Sequence, residues 1–293
     1  MKVIVILGPT AVGKTKLSVE LAKRLNGEVI NADSTQVYQG LDIATAKVTE
    51  EEKEHIPHHL FDIKKMTEDY SVSDYQRDVR MMIDDCMKHG KTPILVGGTG
   101  LYIKAALYDY QFELTSYKGD YQHFSNEELY RQLCQINPNT NIHPNNRKRV
   151  ERALDYYHET GQVLELKEKS ETLLYPTVFI GLTCDRNLLY ERINHRVDVM
   201  KEQGLVEEAK KIYDSHIRTK AVMTPIGYKQ LFPYFEGKES LDNCLETIKK
   251  ESRHYAKRQY TFFKHQLPVH WITVNFEQFD KTVQEAFDYV SGK

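Results

Sequence analysis

The sequence predicts an α/β fold, with a parallel sheet, helices on both faces and a mainly helical insertion domain. Short apolar runs alternate with segments of helical periodicity, which is typical of parallel sheets. Residues 112–175 interrupt this alternation, because they contain few strand-like runs and many Tyr, Asn, Gln and charged residues. We therefore predict a core formed by residues 1–111 and 176–293. The predicted strands lie at residues 3–7, 28–32, 93–96 and 178–182.

The first predicted strand leads into a phosphate-binding pattern. The segment Gly8-Pro-Thr-Ala-Val-Gly-Lys-Thr15 fills every position of G-x-x-x-x-G-K-[ST], and leucines at helical spacing follow it. In such a loop, backbone N–H groups and the positive end of the helix dipole face the same point. Lys14 can then reach terminal phosphates, and the Thr15 hydroxyl can join a Mg²⁺ shell. We predict a P-loop-containing NTPase-like sheet that binds an oligophosphate. The predicted phosphate-binding residues are Gly8, Thr10, Ala11, Val12, Gly13, Lys14 and Thr15.

Polar residues follow the next two predicted strands. Asp33 and Ser34 come after the second strand, and a Gly97-Gly-Thr-Gly100 turn comes after the third. The carboxyl ends of parallel strands meet at one edge of a sheet, so both segments are expected beside the phosphate loop. Position alone leaves three roles open for Asp33: a second-shell Mg²⁺ ligand, a helix cap or a general base. Thr99 offers a hydroxyl donor, although a plain strand-to-helix turn would look similar.

The segment after the fourth predicted strand is expected to be a helix at residues 186–199. Arg192 and Arg196 are four residues apart and share one face of it. Both guanidinium groups could fold onto phosphate oxygens. The alternative is ordinary surface charge.

The insertion contains a predicted basic helix. Asn145 is expected to cap it and Gly161 to end it, while Val150, Leu154 and Tyr157 recur on one face. Four cations in six positions exceed what solubility requires, which favours an anionic partner over a merely solvated face. These cations are Arg147, Lys148, Arg149 and Arg152.

A second basic helix is predicted at residues 248–264. Its opposite side carries Tyr255, Phe262 and Phe263, which we expect to pack inward. Cations interleaved with an aromatic residue suit a nucleic-acid backbone with an unstacked base nearby, although a solvated lysine-rich face would have the same pattern. Arg258 lies at the edge of this face. The face itself contains Lys249, Arg253, Lys257, Tyr260 and Lys264.

Composition limits the partners and the compartment. The 293 residues carry a net charge of only −2, so a polyanion must be met by a local basic patch. The four cysteines are scattered and match no metal-binding pattern, which indicates a reduced, intracellular protein. The apolar N-terminal run is too short for a signal peptide, and no stretch has the length of a membrane span. We expect a cytoplasmic protein without membrane contact.

Eight segments add a more specific indication. They occur in order as Gly8-Pro-Thr-Ala-Val-Gly-Lys-Thr15, Asn31-Ala-Asp-Ser-Thr-Gln-Val-Tyr38, Leu41-Asp-Ile-Ala-Thr-Ala-Lys47, Pro57-His-His-Leu60, Val96-Gly-Gly-Thr-Gly-Leu-Tyr102, Gly204-Leu-Val-Glu-Glu208, Ile226-Gly-Tyr228 and Tyr255-Ala-Lys-Arg-Gln259. Together they resemble the bacterial tRNA dimethylallyltransferase family from residue 3 to about residue 265. The chain departs from that family at Ala44, where relatives usually have Gly, and at Phe262, where they usually have Trp. Its insertion is also divergent.

The resemblance implies that the oligophosphate is dimethylallyl diphosphate and that Mg²⁺ is the cofactor. It implies transfer of the dimethylallyl group to N6 of the adenosine on the 3′ side of the anticodon. Asp33 is then the general base, and Thr99 steadies the bridging oxygen. Lys14, Thr15 and Arg196 hold the diphosphate and its Mg²⁺, with Thr15 as the metal residue.

The resemblance also implies that the anticodon stem-loop of tRNA is the partner. We predict contacts from the segment after the second strand, from the insertion and from the C-terminal basic helix, and a monomeric protein. The predicted tRNA-binding residues are Asp33, Ser34, Thr35, Gln36, Lys148, Arg149, Arg152, Arg253, Lys257 and Arg258.

Three alternatives remain at the level of sequence. A P-loop kinase for a nucleotide or small metabolite would share the loop and the arginine pair. An adenylate isopentenyltransferase acting on free nucleotides would not need the insertion or the basic helix. An RNA-binding module with a vestigial P-loop is opposed by the intact Lys14 and Thr15.

Overall fold

A computed structural model describes residues 1–110, 112, 117–164 and 172–292. Within these residues, six parallel strands form one sheet in the order β3-β2-β4-β1-β5-β6. The strands are β1 (Val3–Leu7), β2 (Gly27–Asn31), β3 (His58–His59), β4 (Thr92–Val96), β5 (Thr177–Thr183) and β6 (His270–Thr273). The four predicted strands are confirmed as β1, β2, β4 and β5.

The sequence pattern missed the two edge strands. β3 has only two residues and β6 only four, which is too short for a recognisable alternation.

At the β3 edge, a hydrogen bond of 2.6 Å joins Glu28 Oε2 and His59 Nε2. The Cys86 thiol lies 3.8 Å from the same carboxylate oxygen, and burial, with the charge of Glu28 adding to it, raises the pKa of Cys86 to about 12.

Helices cover both faces of the sheet. The helices of this part of the chain are α1 (Lys14–Leu25), α2 (Glu50–Lys53), α3 (Val72–Lys88), α4 (Gly100–Leu107), α7 (Arg186–Glu202), α8 (Leu205–Asp214), α9 (Lys220–Met223), α10 (Phe232–Phe235), α11 (Leu241–Gln266) and α12 (Phe279–Ser291); α5 and α6 lie between α4 and α7 and are given below.

The central strand β1 supplies side chains to two separate cores. Val5 and Leu7 join a cluster that includes residues of α3, α4 and α11, while Ile4 and Ile6 join a cluster that includes residues of α1 and α12. All four side chains are at most 1% exposed. This alternation explains why the strand is apolar throughout, because a strand buried on both faces has no solvated side. The predicted fold class, a parallel sheet with helices on both faces, is confirmed.

The chain forms two compact units, Met1–Asp109 with Thr172–Lys293, and Tyr110–Glu171. The second unit contains α5 (Asn126–Ile136) and α6 (Arg147–Thr160), which share a small core that includes Leu129, Leu133, Val150 and Leu154. Of the predicted boundary residues, 111 lies outside the described residues, and the boundaries stay a prediction. The helix start was misplaced by one residue, since Asn146 and not Asn145 is the N-cap. Gly161 ends α6 in the left-handed region, as predicted.

The predicted C-terminal basic helix is part of the longer helix α11. It starts eight residues or so before the basic run, where the Ser240 side chain accepts a hydrogen bond from the Asn243 N–H. No helix in the described part of the chain combines the length and the apolar composition that crossing a membrane requires.

Candidate active site

The P-loop connects the end of β1 to the start of α1. Gly13 has φ 103° and is the N-cap, so Lys14 is the first helical residue. Gly8 has φ 141°, and a Cβ there would lie 2.7 Å from the Leu182 carbonyl oxygen of β5. Both positions therefore require glycine. The positive φ requires it at Gly13 and Gly8, and the close packing on β5 requires it again at Gly8. The loop presents the N-terminus of α1 at the carboxyl edge of the sheet, where an anion is favoured.

The Lys14 ammonium group folds back on its own loop. Its Nζ donates to the carbonyl oxygens of Gly8 at 3.0 Å and Pro9 at 2.7 Å. Burial, with the positive charge of Arg196 adding to it, lowers the pKa of Lys14 to about 7, although the negative charge of Asp33 opposes the change. The three charges therefore lie near one another, which makes this group responsive to an incoming anion.

Both predicted arginines of α7 reach the P-loop. Arg196 Nη1 donates to Thr10 Oγ1 at 3.2 Å, and burial lowers the pKa of this guanidinium. Arg192 is exposed, donates from Nε to the Ala11 carbonyl oxygen at 3.1 Å, and stacks 3.8 Å from the centre of the Phe276 ring. Arg192 supports the loop from outside, whereas Arg196 is close enough to Lys14 to lower the pKa of that lysine, and it also lies near the Asp33 carboxylate.

Asp33 starts a tight turn after β2. Its Oδ1 accepts hydrogen bonds from the Thr35 N–H at 2.9 Å and the Thr35 hydroxyl at 2.7 Å. The fully buried Asn31 holds the turn from below, because its Oδ1 accepts from the Asp33 N–H at 2.8 Å and its Nδ2 donates to the Asp33 and Leu60 carbonyls. The carboxylate is thus fixed in position and keeps lone pairs for a further proton.

Thr99 lies directly beside this turn. Its Oγ1 accepts from the Ser34 N–H at 3.2 Å, and its own N–H donates to the Ala32 carbonyl at 3.2 Å. A Cβ at Gly97 would lie 2.2 Å from the Ala32 carbonyl oxygen, so only glycine permits this approach. The sequence placed Asp33, Ser34 and Thr99 at one edge, and the structure brings them together.

Two residues of α11 complete this region, and the sequence predicted a role in the site for neither of them. Gln259 Oε1 accepts from the Thr10 N–H at 3.1 Å, and its Nε2 donates to the Gly98 carbonyl at 3.1 Å. Tyr255 is hydrogen-bonded to the side chains of Thr99 and Gln259, and burial raises its pKa, with the charge of Asp33 adding to the effect. The only sequence signal for them was their place in the segment Tyr255–Gln259.

The Thr15 hydroxyl is a candidate oxygen ligand for a divalent cation at this edge. Thr15 is the second residue of α1, next to Lys14, and Asp33 is the nearby carboxylate. Hydroxyl and carboxylate oxygens are ligands that Mg²⁺ accepts, usually with waters and substrate phosphates completing its shell. These residues fit a magnesium ion bound together with an oligophosphate.

The α11 cations differ in availability. Lys257 and Arg258 are exposed, and the Arg258 guanidinium lies 5.6 Å from the centre of the Tyr255 ring. Arg253 Nη1 instead donates to Asn194 Oδ1 of α7 at 2.5 Å, and Lys249 pairs with Asp198 at 2.8 Å. The predicted continuous basic face is therefore partly used to hold α11 on α7.

Tyr260 lies on the same face of α11 as Lys257, but its ring also packs on the sheet. Its ring stacks on Trp271 with centroids 5.4 Å apart, and its hydroxyl is hydrogen-bonded to Thr183. This packing against β5 and β6 is favourable, because an amphipathic tyrosine can bury its ring where its hydroxyl finds a partner.

The remaining predicted contact residues lie in two places. On α6, Lys148, Arg149 and Arg152 are exposed, whereas Arg147 is bonded to Glu151, Asn126 and the Tyr121 and Phe124 carbonyls. After β2, the Gln36 Nε2 donates to the carbonyls of Thr45 at 2.9 Å and Ala46 at 3.2 Å. Its amide group therefore supports the loop at residues 41–47.

Comparison with known proteins agrees with the predicted resemblance. The model of the IPP transferase family matches residues 36–266. A tRNA dimethylallyltransferase of Anoxybacillus flavithermus is 50% identical over 301 residues, covering 100% of this chain and 97% of that protein. One of Geobacillus thermodenitrificans is 47% identical over 305 residues, covering 100% and 97%.

Solved structures of similar proteins have the same fold. The full-length tRNA isopentenylpyrophosphate transferase of Bacillus halodurans has a TM-score of 0.77 and 44% identity, with 99% of this chain and 96% of that chain covered. A eukaryotic dimethylallyltransferase acting on tRNA has a TM-score of 0.85 and 31% identity, with 100% and 80% covered. The P-loop at the edge of a parallel sheet, the match to the family model and the identity over the full length lead to one conclusion: this chain belongs to the IPP transferase family, among the tRNA dimethylallyltransferases.

Proposed function

We propose that this protein transfers the dimethylallyl group of dimethylallyl diphosphate to N6 of the adenosine adjacent to the 3′ side of the anticodon in tRNA, giving N6-isopentenyladenosine. One observation carries the proposal beyond family membership. Lys14 and Arg196, which suit a diphosphate, lie close enough to Asp33 for its negative charge to raise the pKa of both, against the lowering by burial, and Thr99 adjoins the Asp33 turn. An anion cradle and a carboxylate base at one sheet edge match a transfer that releases diphosphate.

The P-loop side stabilises the leaving group. The C–O bond between the allylic carbon and the diphosphate breaks, and the electron pair stays on the diphosphate. Lys14, Arg196 and the N–H groups of residues 11–15 neutralise that charge, and such preorganised stabilisation is usually the largest contribution to rate. The Lys14 ammonium exchanges its bonds to the Gly8 and Pro9 carbonyls for bonds to phosphate oxygens. The Thr99 hydroxyl donates to the oxygen that bridged the allyl group and the diphosphate.

Asp33 acts on the acceptor. The lone pair of the N6 amine is delocalised into the adenine ring, so the amine attacks well only if a base accepts its proton as the N–C bond forms. Asp33 Oδ1 is held by the two donors of Thr35, which orients the carboxylate toward the substrate. The adenine leaves its stack to reach this edge, as in other enzymes that modify bases.

Mg²⁺ is the proposed cofactor, held by the Thr15 hydroxyl together with the diphosphate. When bound, it neutralises diphosphate charge as a Lewis acid. The anticodon stem-loop of tRNA is the proposed partner. Exposed cations of α6 and α11 bind its phosphates. The Asp33–Gln36 segment contacts the acceptor base. These cations are Lys148, Arg149, Arg152, Lys257 and Arg258.

The direct test is a transfer assay. The protein is incubated with labelled dimethylallyl diphosphate, Mg²⁺ and unmodified tRNA, and label in tRNA is measured beside reactions with AMP and ATP. We expect label only in tRNA, at the adenosine next to the anticodon, and none when Mg²⁺ is chelated. Labelled AMP would indicate an adenylate isopentenyltransferase, and ADP formed from ATP with small acceptors would indicate a kinase. The same preparation, run on a sizing column, tests the proposed monomer, and its localisation in cells tests the proposed cytoplasmic location.

A further inference from the structure

Three of the family-like segments have no role in the reaction described above, and they meet at one carboxylate. These segments are Leu41–Lys47, Gly204–Glu208 and Ile226–Tyr228. Glu208 of α8 accepts hydrogen bonds from three successive backbone N–H groups at 3.0 to 3.3 Å, those of Asp42, Ile43 and Ala44. The Tyr228 hydroxyl donates to the same carboxylate at 2.6 Å. We call Glu208, Tyr228 and the amides of residues 42–44 the Glu208 clasp.

The clasp is strong because its carboxylate is satisfied by directed donors. Charge-assisted hydrogen bonds are about twice as strong as neutral ones, and each donor here is fixed by backbone or packing. Tyr228 is fully buried, and burial together with the charge of Glu208 raises its pKa, so its hydroxyl stays protonated and donates. The segment that carries Tyr228 also packs closely on the 42–44 loop, since a Cβ at Gly227 would lie 2.7 Å from Ala44 Cβ.

The clasped loop in turn holds the segment that follows β2. The Thr45 and Ala46 carbonyls, next to the clasped amides, accept from Gln36 Nε2. The Thr45 hydroxyl donates to the Leu41 carbonyl at 2.6 Å, and Lys47 Nζ donates to the Tyr38 carbonyl at 2.7 Å. Lys47 also pairs with Asp42 and Asp62. Gln36 lies only three residues after Asp33, so the loop fixes the far end of the short turn that carries the carboxylate.

We infer that Glu208 and Tyr228 are positioning residues for the acceptor half of the reaction: they hold the 41–47 loop, which holds Gln36 and thereby the Asp33–Gln36 turn against the target adenosine. This inference rests on the proposed function. Neither residue touches the P-loop among the contacts described, so the clasp acts on the acceptor side and leaves diphosphate binding alone.

The test uses the full-length protein with Glu208→Gln and Tyr228→Phe. Glu207→Gln is the matched control, because Glu207 is the exposed neighbour on the same helix. Rates are measured in single turnovers at saturating substrates and are normalised to the fraction of protein that binds dimethylallyl diphosphate. We expect Glu208→Gln to lose about 10- to 100-fold in rate, since small misplacements of a catalytic group cost this much. Tyr228→Phe loses less, and the affinity for dimethylallyl diphosphate changes less than twofold in both.

Two further measurements separate positioning from general destabilisation. Hydrogen exchange at the amides of residues 42–44 is expected to accelerate in Glu208→Gln, while exchange in α1 is unchanged. In a double-mutant cycle, Gln36→Ala and Glu208→Gln break the same chain of contacts. The single-turnover rate of the double variant is therefore expected to be no lower than that of the slower single variant.

Three results would overturn the inference. The first is a single-turnover rate of Glu208→Gln equal to that of Glu207→Gln, although its amides at residues 42–44 exchange faster. The second is a loss of affinity for dimethylallyl diphosphate as large as the loss of rate. The third is rate losses of Gln36→Ala and Glu208→Gln that add up in the double variant. If Glu208→Gln does not fold, Tyr228→Phe decides by the same criteria. Absence of transfer by the unmodified protein would count against the proposed function instead, which keeps the two failures distinct.

Discussion

Gln259 and Thr10 are joined by a hydrogen bond of 3.1 Å from the Thr10 N–H to the Gln259 carboxamide oxygen. The same side chain donates to the Gly98 carbonyl at 3.1 Å. One buried amide thereby ties the P-loop to the turn that carries Thr99, and the two sides of the proposed reaction are held at a fixed separation. The side chain at this position needs both an acceptor and a donor, because it bonds to the N–H of Thr10 and to the carbonyl of Gly98. A carboxamide offers both.

Replacing Gln259 by Glu is expected to slow the chemical step. A carboxylate can still accept from the Thr10 N–H, but its second oxygen faces the Gly98 carbonyl and repels it. The single-turnover rate should fall by about 10- to 100-fold as the two sides move apart. Gln135→Ala, at an exposed position of α5, is the control and should have no effect. A Gln259→Glu rate within twofold of the unmodified protein would contradict a positioning role for this amide.

Replacing Lys14 by Ala is expected to weaken diphosphate binding while the fold is retained. The lost charge-assisted contact should cost about 1.5 to 3 kcal/mol in binding free energy. A titration with dimethylallyl diphosphate measures it, and Lys16→Ala, an exposed lysine on the same helix, is the control. Unchanged affinity in a folded Lys14→Ala protein would remove the P-loop assignment.

Diphosphate affinity should depend on pH through Lys14. Because burial and the nearby charge of Arg196 lower the pKa of free Lys14 to about 7, this group is largely neutral above that pH until a bound diphosphate raises its pKa again. Binding therefore takes up a proton, and affinity is expected to fall as pH rises above about 7, by at most about tenfold per pH unit. Titrations at several pH values, with Lys14→Ala as reference, separate this effect from the ionisation of the diphosphate. Parallel pH curves for the two proteins would show that Lys14 is not the responsive group.

Replacing Asp33 by Asn is a sharper test of the base than removal of the side chain. The amide keeps an Oδ1 that accepts from Thr35, so the turn is retained while the basic oxygen is lost. The rate at saturating substrates should fall by about 10² to 10⁴, with little change in tRNA affinity. Thr35→Ala, which removes one of the two donors, should cost less. If Asp33→Asn reacts within a few-fold of the unmodified protein, a capping or metal-shell role replaces that of the base.

Two cations of α11 should differ in their effect on tRNA binding. Lys257 is exposed, whereas Arg253 is bonded to Asn194. Lys257→Ala should lower the slope of log affinity against log salt concentration by about 0.7 to 0.9, the loss expected for one phosphate contact. Arg253→Ala should leave that slope nearly unchanged and reduce thermal stability. Titrations with tRNA at several salt concentrations measure both slopes. Equal slopes for Lys257→Ala and the unmodified protein would mean that Lys257 is only solvated.

The sequence by itself determined the P-loop, the four longer strands and the fold class. Each of these is a local pattern in which adjacent residues encode the geometry. Gly8 and Gly13 permit the backbone of the loop, the apolar run before them forms a strand buried on both faces, and the leucines after them face a core. The rule that parallel strands end at one edge then placed Asp33 and Thr99 together.

The tertiary structure decided which side chains support that edge. Gln259 is 249 residues from Thr10, and Glu208 is 165 residues from Ile43, so no local period relates them. Whether Arg253 bonds to solvent or to α7, and whether the Tyr260 ring packs on Trp271, depends on how α11 lies against its neighbours. A helix pattern specifies faces, but only packing against the sheet and other helices selects the partner of each face.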